Sequence, residues 1–294
     1  MPRSGHHNEE LTLRAKPIVI SPYGLGHLGD ALCLSALPRR IVGELGLTVR
    51  ITRSAANLAV FKNNPYIAGF SGIKMHWKAV GSGHLIQRHQ RAHGLTVDSI
   101  YRPEIYLTDE EKHWAEQVRN SWRPLDKPVC ILSCQAVTDS AQMNSVDWKM
   151  IGERLQNHCT VIQTLVTKSV RKSSIAKPKS NNIASTAAAH VVKGAIHYHN
   201  LSTRQYFALF SIADLFCGGT SGGSHLAAAF DLPSLIITWR DLMKGFSFPD
   251  QVPTIEKTTF LYPQHHFLCR ESISLHARAL FDRILKSVVT SHRN

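Results

Sequence analysis

Residues 214–229 read DLFCGGTSGGSHLAAA, and the fold is decided there. An apolar run, Asp214–Cys217, meets four glycines (Gly218, Gly219, Gly222, Gly223) interleaved with Thr220, Ser221 and Ser224. A helix over His225–Phe230 follows, and its small side chains Ala227–Ala229 could pack closely on a sheet. The order predicts strand, turn, helix. Amides of such a turn converge on one spot, the hydroxyls add donors, and the helix dipole favours negative charge, so the turn Gly218–His225 suits a diphosphate. The plainer reading is a turn that uses glycine for left-handed backbone, yet four glycines with three hydroxyls exceed that need.

A second strand–turn–helix lies upstream. Pro17–Ser21 (PIVIS) predicts a short buried strand, and Asp30–Leu45 carries apolar residues at helical spacing with Gly46 as its stop. Between them Gly24, Gly26 and Gly29 spell GxGxxG, the pattern of a dinucleotide pyrophosphate turn. Ser21, Pro22 and Tyr23 intervene before its first glycine, and Arg50 and Arg53 stand where a ribose-binding acid belongs. Arginines there could meet a 2′-phosphate, which keeps an NADP-dependent oxidoreductase as a minor alternative. Asp30 directly follows Gly29 and has two compatible roles. It can cap the helix, or it can take a proton from a hydroxyl as a general base.

Between and beyond these turns the pattern is that of an α/β chain. Thr48–Thr52 predicts a strand, Ala55–Phe61 a short helix, Lys62–Tyr66 a turn, and residues 73–101 a loop with a basic helix. Asp109–Trp122 predicts a helix capped by Thr108. After Pro124–Pro128 the pattern restarts with strand Val129–Ser133, helix Val146–Gln156 and strand Thr160–Thr167. Helix Thr203–Ser211, strand Ser234–Thr238 and an amphipathic helix Ile273–Val288 complete it. The expected organisation is a flexible arm over 1–16, one α/β domain over 17–125 and a second over 126–294, with the last helix packing back on the first domain.

The 294 residues allow two cores. A net charge of +13 is spread over both halves, with 16 basic against 10 acidic residues before Leu125 and 18 against 11 from there on. Such a surface suits phosphorylated substrates or an anionic membrane face. A nucleic-acid module would need aromatics interleaved with a basic patch, which the sequence lacks, so no nucleic-acid partner is expected. The start of the chain has no secretory pattern and no run is long enough to span a bilayer, which predicts a cytoplasmic protein. The six cysteines form no CxxC pair and read as reduced core residues; no metal ligand set is expected. His89 and His93 read as an acceptor-facing or solvent-facing surface, and His265 and His266 as surface residues.

Two motifs together resemble a known family. GLGHLGDALCLSALPRRI (24–41) resembles the opening strand–turn–helix of the heptosyltransferases, glycosyltransferase family nine, with their Gly-Asp pair at Gly29-Asp30. ADLFCGGTSGGSHLAAAFDLPSL (213–235) resembles their donor-binding signature. NNPYIAGF (63–70), RPEIYLTDEE (102–111) and Val146–Leu155 are similar to weaker family motifs, in order. The resemblance implies a GT-B architecture, two Rossmann-like domains with parallel sheets facing a central cleft. It implies inverting, metal-independent transfer of a heptose or other sugar from a nucleotide-diphosphate donor, ADP-linked in the family, with no further cofactor. The acceptor would be a hydroxyl of an anionic glycan or lipid-linked molecule, as in lipopolysaccharide biosynthesis at the inner face of the cell membrane. Asp30 would be the base. Thr220, Ser221, Gly222, Gly223, His225 and Gln135 would hold the donor, and Gly24, Gly26 and Gly29 would form the cleft loop. The chain departs from the family at Thr220, where an acid is common. It also departs in the loop Cys134–Ser145, which lacks the usual lysine, and after Thr167, where no acid awaits the donor ribose. A nucleotide-sugar-binding relative without catalysis is the alternative.

Overall fold

The computed structural model describes residues 17–20, 28–52, 58–71, 79–99, 101–122, 127–134, 145–165, 191–238, 262, 265–269, 282, 285–286 and 290. Its strands form two parallel sheets. β1 (Ile18–Ile20), β2 (Val49–Thr52) and β3 (Ile67–Ser71) pair in that order. The larger sheet holds β4 (Val129–Ser133), β5 (Thr160–Leu165), β6 (Ile196–His199), β7 (Leu215–Gly219), β8 (Ser234–Thr238) and β9 (His266–Cys269), ordered β6-β5-β4-β7-β8-β9. Every residue of β4 (VCILS) and β7 (LFCGG) is buried, as expected of central strands covered on both faces. The strand order reverses between β4 and β7. In such doubly wound sheets ligands sit outside the carboxyl ends of the strands at that reversal.

The expected helix over Asp30–Leu45 is two helices, α1 (Leu28–Ser35) and α2 (Pro38–Leu45). Pro38 explains the break, since proline has no N–H to continue a helix but suits the first turn of a new one. Gly46, at φ 62°, ends α2 and returns its N–H to the Val42 carbonyl. The expected segment over Ala55–Phe61 appears as a 3-10 turn, Leu58–Phe61. α3 is Leu85–Ala92, α4 is Asp109–Ser121 and α5 is Ser145–Gln156. α4 starts on a capping box, in which Glu111 N–H donates to Thr108 and the Thr108 N–H donates to Glu111. α6 (Thr203–Phe210) and α7 (Gly222–Ala229) flank β7. Of the predicted last helix, Asp282, Leu285 and Lys286 are described; Leu285 is buried with Leu132 and Trp148 beside the larger sheet. The arm over 1–16 and the basic loop Lys168–Asn182 lie outside the described residues.

One apolar core runs across both sheets, joining Ile20, Leu32, Leu37 and Ile51 to Phe207, Phe216, Leu226 and Ile236. Two helix pairs, α1 with α7 and α4 with α6, make the connection. Cys33, Cys130, Cys134, Cys159 and Cys217 are buried and free, in line with the expected core thiols. At the α4–α6 junction the Arg204 guanidinium pairs with Glu111 and donates to the carbonyls of Ala59 at 3.0 Å and Tyr106 at 2.6 Å. It also lies over the Phe207 ring. Arg204 thereby ties the 3-10 turn, the segment before α4 and α6 into one joint.

Both side chains of that pair are mostly buried, at 12% and 16% exposure. Arg204→Ala should therefore cost about 3 kcal/mol of unfolding free energy in chemical denaturation. The Arg204 hydrogen bond holds the Glu111 carboxyl below its ordinary 4.5. The pair's contribution is thus complete above pH 4.5 and lost as pH falls below it, so the variant's penalty should shrink in acid.

Candidate functional site

β7 leads into the site, and the structure shortens the turn expected there. Gly218 and Gly219 are the last residues of the strand, and Gly222 and Gly223 open α7, leaving only Thr220 and Ser221 between. None of the four glycines has a positive φ. Their smallness is needed for close approach. A Cβ on Gly218 would stand 2.9 Å from the Ser133 carbonyl of β4, and one on Gly223 would touch the Phe216 ring and the Tyr206 hydroxyl.

The three hydroxyls of the turn also divide by role. Ser221 is the N-cap of α7, its Oγ accepting from Gly223 N–H at 3.2 Å. Ser224 Oγ accepts from Ser221 N–H at 3.1 Å and donates to the Ser221 carbonyl at 2.8 Å. The two serines thus close a capping box. Thr220 Oγ1 is buried and has no hydrogen-bond partner. A helix start leaves four N–H groups without intrahelical partners, and a capping box answers only part of them. With the helix dipole and the Thr220 hydroxyl, the end of β7 can accept an anion.

α1 meets α7 head to head. A Cβ on Gly29 would lie 2.6 Å from the His225 ring, and one on Gly222 would lie 2.9 Å from Leu28. The first turn of each helix therefore touches the other. Asp30, half-buried, sits inside the first turn of α1, two residues past its start at Leu28, so it does not occupy the cap position. An acid there is still favoured by the helix dipole. The structure brings Gly29, Asp30, Thr220, Ser221, Gly222, Gly223 and His225 to this one junction. Gly24, Gly26 and Gln135 lie outside the described residues; Cys134, which precedes Gln135, is buried just after β4.

His225 is buried, at 4% exposure, and desolvation lowers its pKa to about 4, so its imidazole is neutral. Its Nδ1 shares a 2.6 Å hydrogen bond with the Tyr262 hydroxyl and lies 3.6 Å from Cys33 Sγ. Burial pushes the Cys33 thiol far up; a hydrogen bond with Tyr262 opposes this, and the Asp30 charge adds to it. His84 and Tyr101 complete the cluster, with the His84 ring 4.6 Å from that of Tyr262. His84, Tyr101 and Tyr262 lie far from both glycine-rich motifs in sequence, so no sequence signal announced them. His265, expected at the surface, is buried against Tyr262, whereas His266 is exposed as expected. His89 and His93, expected on a solvent-facing or acceptor-facing surface, are buried as well, because α3 turns that face into the protein.

A cavity of about 320 Å³ opens at the other ends of α1 and α7, lined by Arg39, Arg40, Arg102, Asp98, Glu104 and Asp231 among others. Each arginine is paired: Arg39 with Glu104, Arg40 with Glu44 and Asp98, and Arg102 with Asp231. Its charges are balanced, which leaves it no net positive charge to attract an anion.

No protein-family model matches the chain, and no curated protein sequence does. Solved structures do. The chain is similar to the E. coli ADP-heptose LPS heptosyltransferase II with a TM-score of 0.64 and 11% identity, over 95% of this chain and 100% of that one. It is also similar to the dodecameric iron-containing heptosyltransferase TibC in complex with ADP-D-β-D-heptose. There the TM-score is 0.58 at 16% identity, over 96% of this chain and 78% of that one. TibC from enterotoxigenic E. coli is matched a second time with a TM-score of 0.55. At such identities the likeness is one of fold: the chain has the parallel α/β fold of the heptosyltransferases.

The Gly29 contact is directly testable. Gly29→Ala should lower stability by about 1–3 kcal/mol through overpacking against His225. Gly43→Ala, in α2 with nothing within 4 Å of the added methyl, should instead stabilise by about 0.5–1 kcal/mol. Equal effects in thermal unfolding would show that α1 and α7 do not pack this closely.

Proposed function

We propose that the protein is an inverting glycosyltransferase that moves a sugar from a nucleotide-diphosphate donor to an acceptor hydroxyl. The observation that carries this reading is the contact between α1 and α7. It puts a carboxylate, Asp30, beside the anion-accepting start of a helix at the strand-order reversal of a doubly wound sheet. The fold shared with heptosyltransferases supports it. Residues 17–125 form the acceptor domain and 126–294 the donor domain, in a GT-B arrangement about a cleft.

Asp30 takes the proton of the acceptor hydroxyl as its oxygen attacks the anomeric carbon. The bond from that carbon to the diphosphate breaks on the opposite face, and the electron pair leaves with the diphosphate oxygen. The growing negative charge is met by the start of α7, by the amide of Gly222, and by the hydroxyls of Thr220 and Ser221. Ser221 Oγ already accepts from Gly223, and its own proton remains to donate. By the family resemblance Gln135 joins the donor set, and Gly24, Gly26 and Gly29 belong to the cleft loop. His225, neutral and buried, supports the turn and adds no charge. The transfer step is carried by these groups without a metal ion or further cofactor.

ADP-heptose, bound by TibC, is the first donor to try. The acceptor is an anionic glycan or lipid-linked hydroxyl, which the charge of +13 would attract. No helix among the described residues is long and apolar enough to cross a membrane. In this reading a lipid-linked acceptor is reached from a peripheral position on the cytoplasmic face.

Asp30→Asn should lower transfer by about 10²–10⁴ while the donor still raises the melting temperature; full activity would remove Asp30 from the mechanism. Thr220→Val should weaken binding of the matching nucleoside diphosphate about tenfold, from loss of one hydrogen bond. A thermal-shift panel of ADP, UDP, GDP, CDP, TDP and NADP identifies the nucleotide. Stabilisation by NADP alone would overturn the glycosyltransferase reading, and binding without turnover of any acceptor would reduce the protein to a nucleotide-sugar binder.

A further inference from the structure

We propose that Cys33, His84 and His225 bind a structural Zn²⁺ ion that fastens α1, α3 and α7 together behind Asp30. One ligand atom from each residue lies within 4.8 Å of the other two, and all three side chains are buried. The Cys33 Sγ to His225 Nδ1 distance is 3.6 Å. Zn–S of about 2.3 Å and Zn–N of about 2.05 Å at a tetrahedral angle put sulfur and nitrogen about 3.6 Å apart, so this edge of the site is already at coordination spacing. Tyr262 Oη, 3.8 Å from the same sulfur, offers an oxygen for the fourth position.

A hydrogen-bonded core explains part of the cluster but leaves His84 out. Its Nδ1 accepts from the Ile86 N–H at 3.1 Å, which puts the ring proton on Nε2. That Nε2 is buried with no hydrogen-bond partner, on a residue with 0% exposure. Nearby, His265 is buried with neither ring nitrogen partnered. Orphaned polar atoms are rare in folded cores and point to an ion or water that completes them. One thiolate with two imidazoles, shielded from solvent, suits zinc and excludes the oxygen-loving Mg²⁺ and Ca²⁺.

Binding has a definite proton balance. The Cys33 thiol gives its proton to solvent as sulfur bonds the ion. His225 ligates through Nδ1, and Tyr262 Oη moves off that nitrogen to face the metal. On His84 the proton shifts from Nε2 to Nδ1, which ends the hydrogen bond from Ile86; the Gln87 side chain continues to accept from the His84 N–H at 3.2 Å. The ion would link helices that follow the smaller sheet's first strand, the 79–99 segment and β7. Through His225 the ion would brace the first turn of α7 from within the core.

The test uses the full chain, stripped with a chelator and titrated with Zn²⁺ or with Co²⁺ as its spectroscopic stand-in. The expected result is about one ion per chain, a thiolate-to-cobalt charge-transfer band in the near ultraviolet, and the strong ligand-field bands of a tetrahedral ion. Cys33→Ser should abolish the charge-transfer band, and His84→Gln should weaken binding at least tenfold. Zinc should raise the melting temperature of the wild type and of neither variant. X-ray absorption on zinc-loaded wild type needs no variant and should show a single sulfur neighbour. A wild type that gives no charge-transfer band overturns the proposal. So does a band that survives Cys33→Ser, or a shell of several sulfurs, which would place the metal among Cys130, Cys134, Cys159 and Cys217 instead.

Discussion

Close approach of α1 and α7 is the constraint on which the remainder of the site depends. Helices with ordinary side chains at their contact pack about 8–10 Å apart. Here Gly29 admits the His225 ring and Gly222 admits Leu28, each where a methyl group would collide. Because α7 starts at the carboxyl end of β7, this contact brings the start of α1 to the open end of a central strand of the larger sheet. The polar residues of the turns then share a site because apolar packing has put them there. A glycine-rich motif usually read as a binding signature is, in this chain, also a packing signature.

That distinction governs how much was legible from the sequence. The central strands β4, β7 and β8 were readable because strands covered on both faces must be continuously apolar. β3, β6 and β9 were not, and all three lie at sheet edges. IAGFS, IHYH and HFLC are short and mix apolar with small or polar residues, so no continuous apolar run marks them. The capped start of α4 was readable because a capping box is local. The single helix over Asp30–Leu45 failed because helical spacing continues across Pro38 although the backbone cannot. Asp30, Thr220 and Ser221 stand out through motifs, whereas His84 and Tyr262 join the cluster around His225 only through tertiary contact. Such contacts leave no mark in a single sequence.

The positive charge also looks different once its partners are visible. Arg39, Arg40, Arg102, Arg119, Arg154 and Arg204 each hold an acid, and Arg204 and Arg119 join elements of both halves. These arginines are structural, and locally neutralised. The surplus of +13 is therefore carried by other side chains, and the sequence concentrates five of them in Lys168–Lys179. A phosphate drawn to this protein would be attracted by that surplus and oriented by the neutral start of α7. Attraction and orientation thus fall to different parts of the chain.

Orientation is where Thr220 matters. The Ser221 oxygen, as acceptor, and the Ser224 hydroxyl fix the first turn of α7, which holds its N–H groups in place before any ligand arrives. A cradle fixed in advance costs little ordering when it is occupied. Thr220 lies one residue outside that box, with its oxygen buried and unmatched. A carboxylate at the same point would repel a diphosphate and favour contact with sugar hydroxyls; a threonine removes the repulsion and leaves a donor that either group could use. In the proposed reaction the box keeps the start of α7 rigid, and the hydroxyl outside it is the group left to meet the ligand.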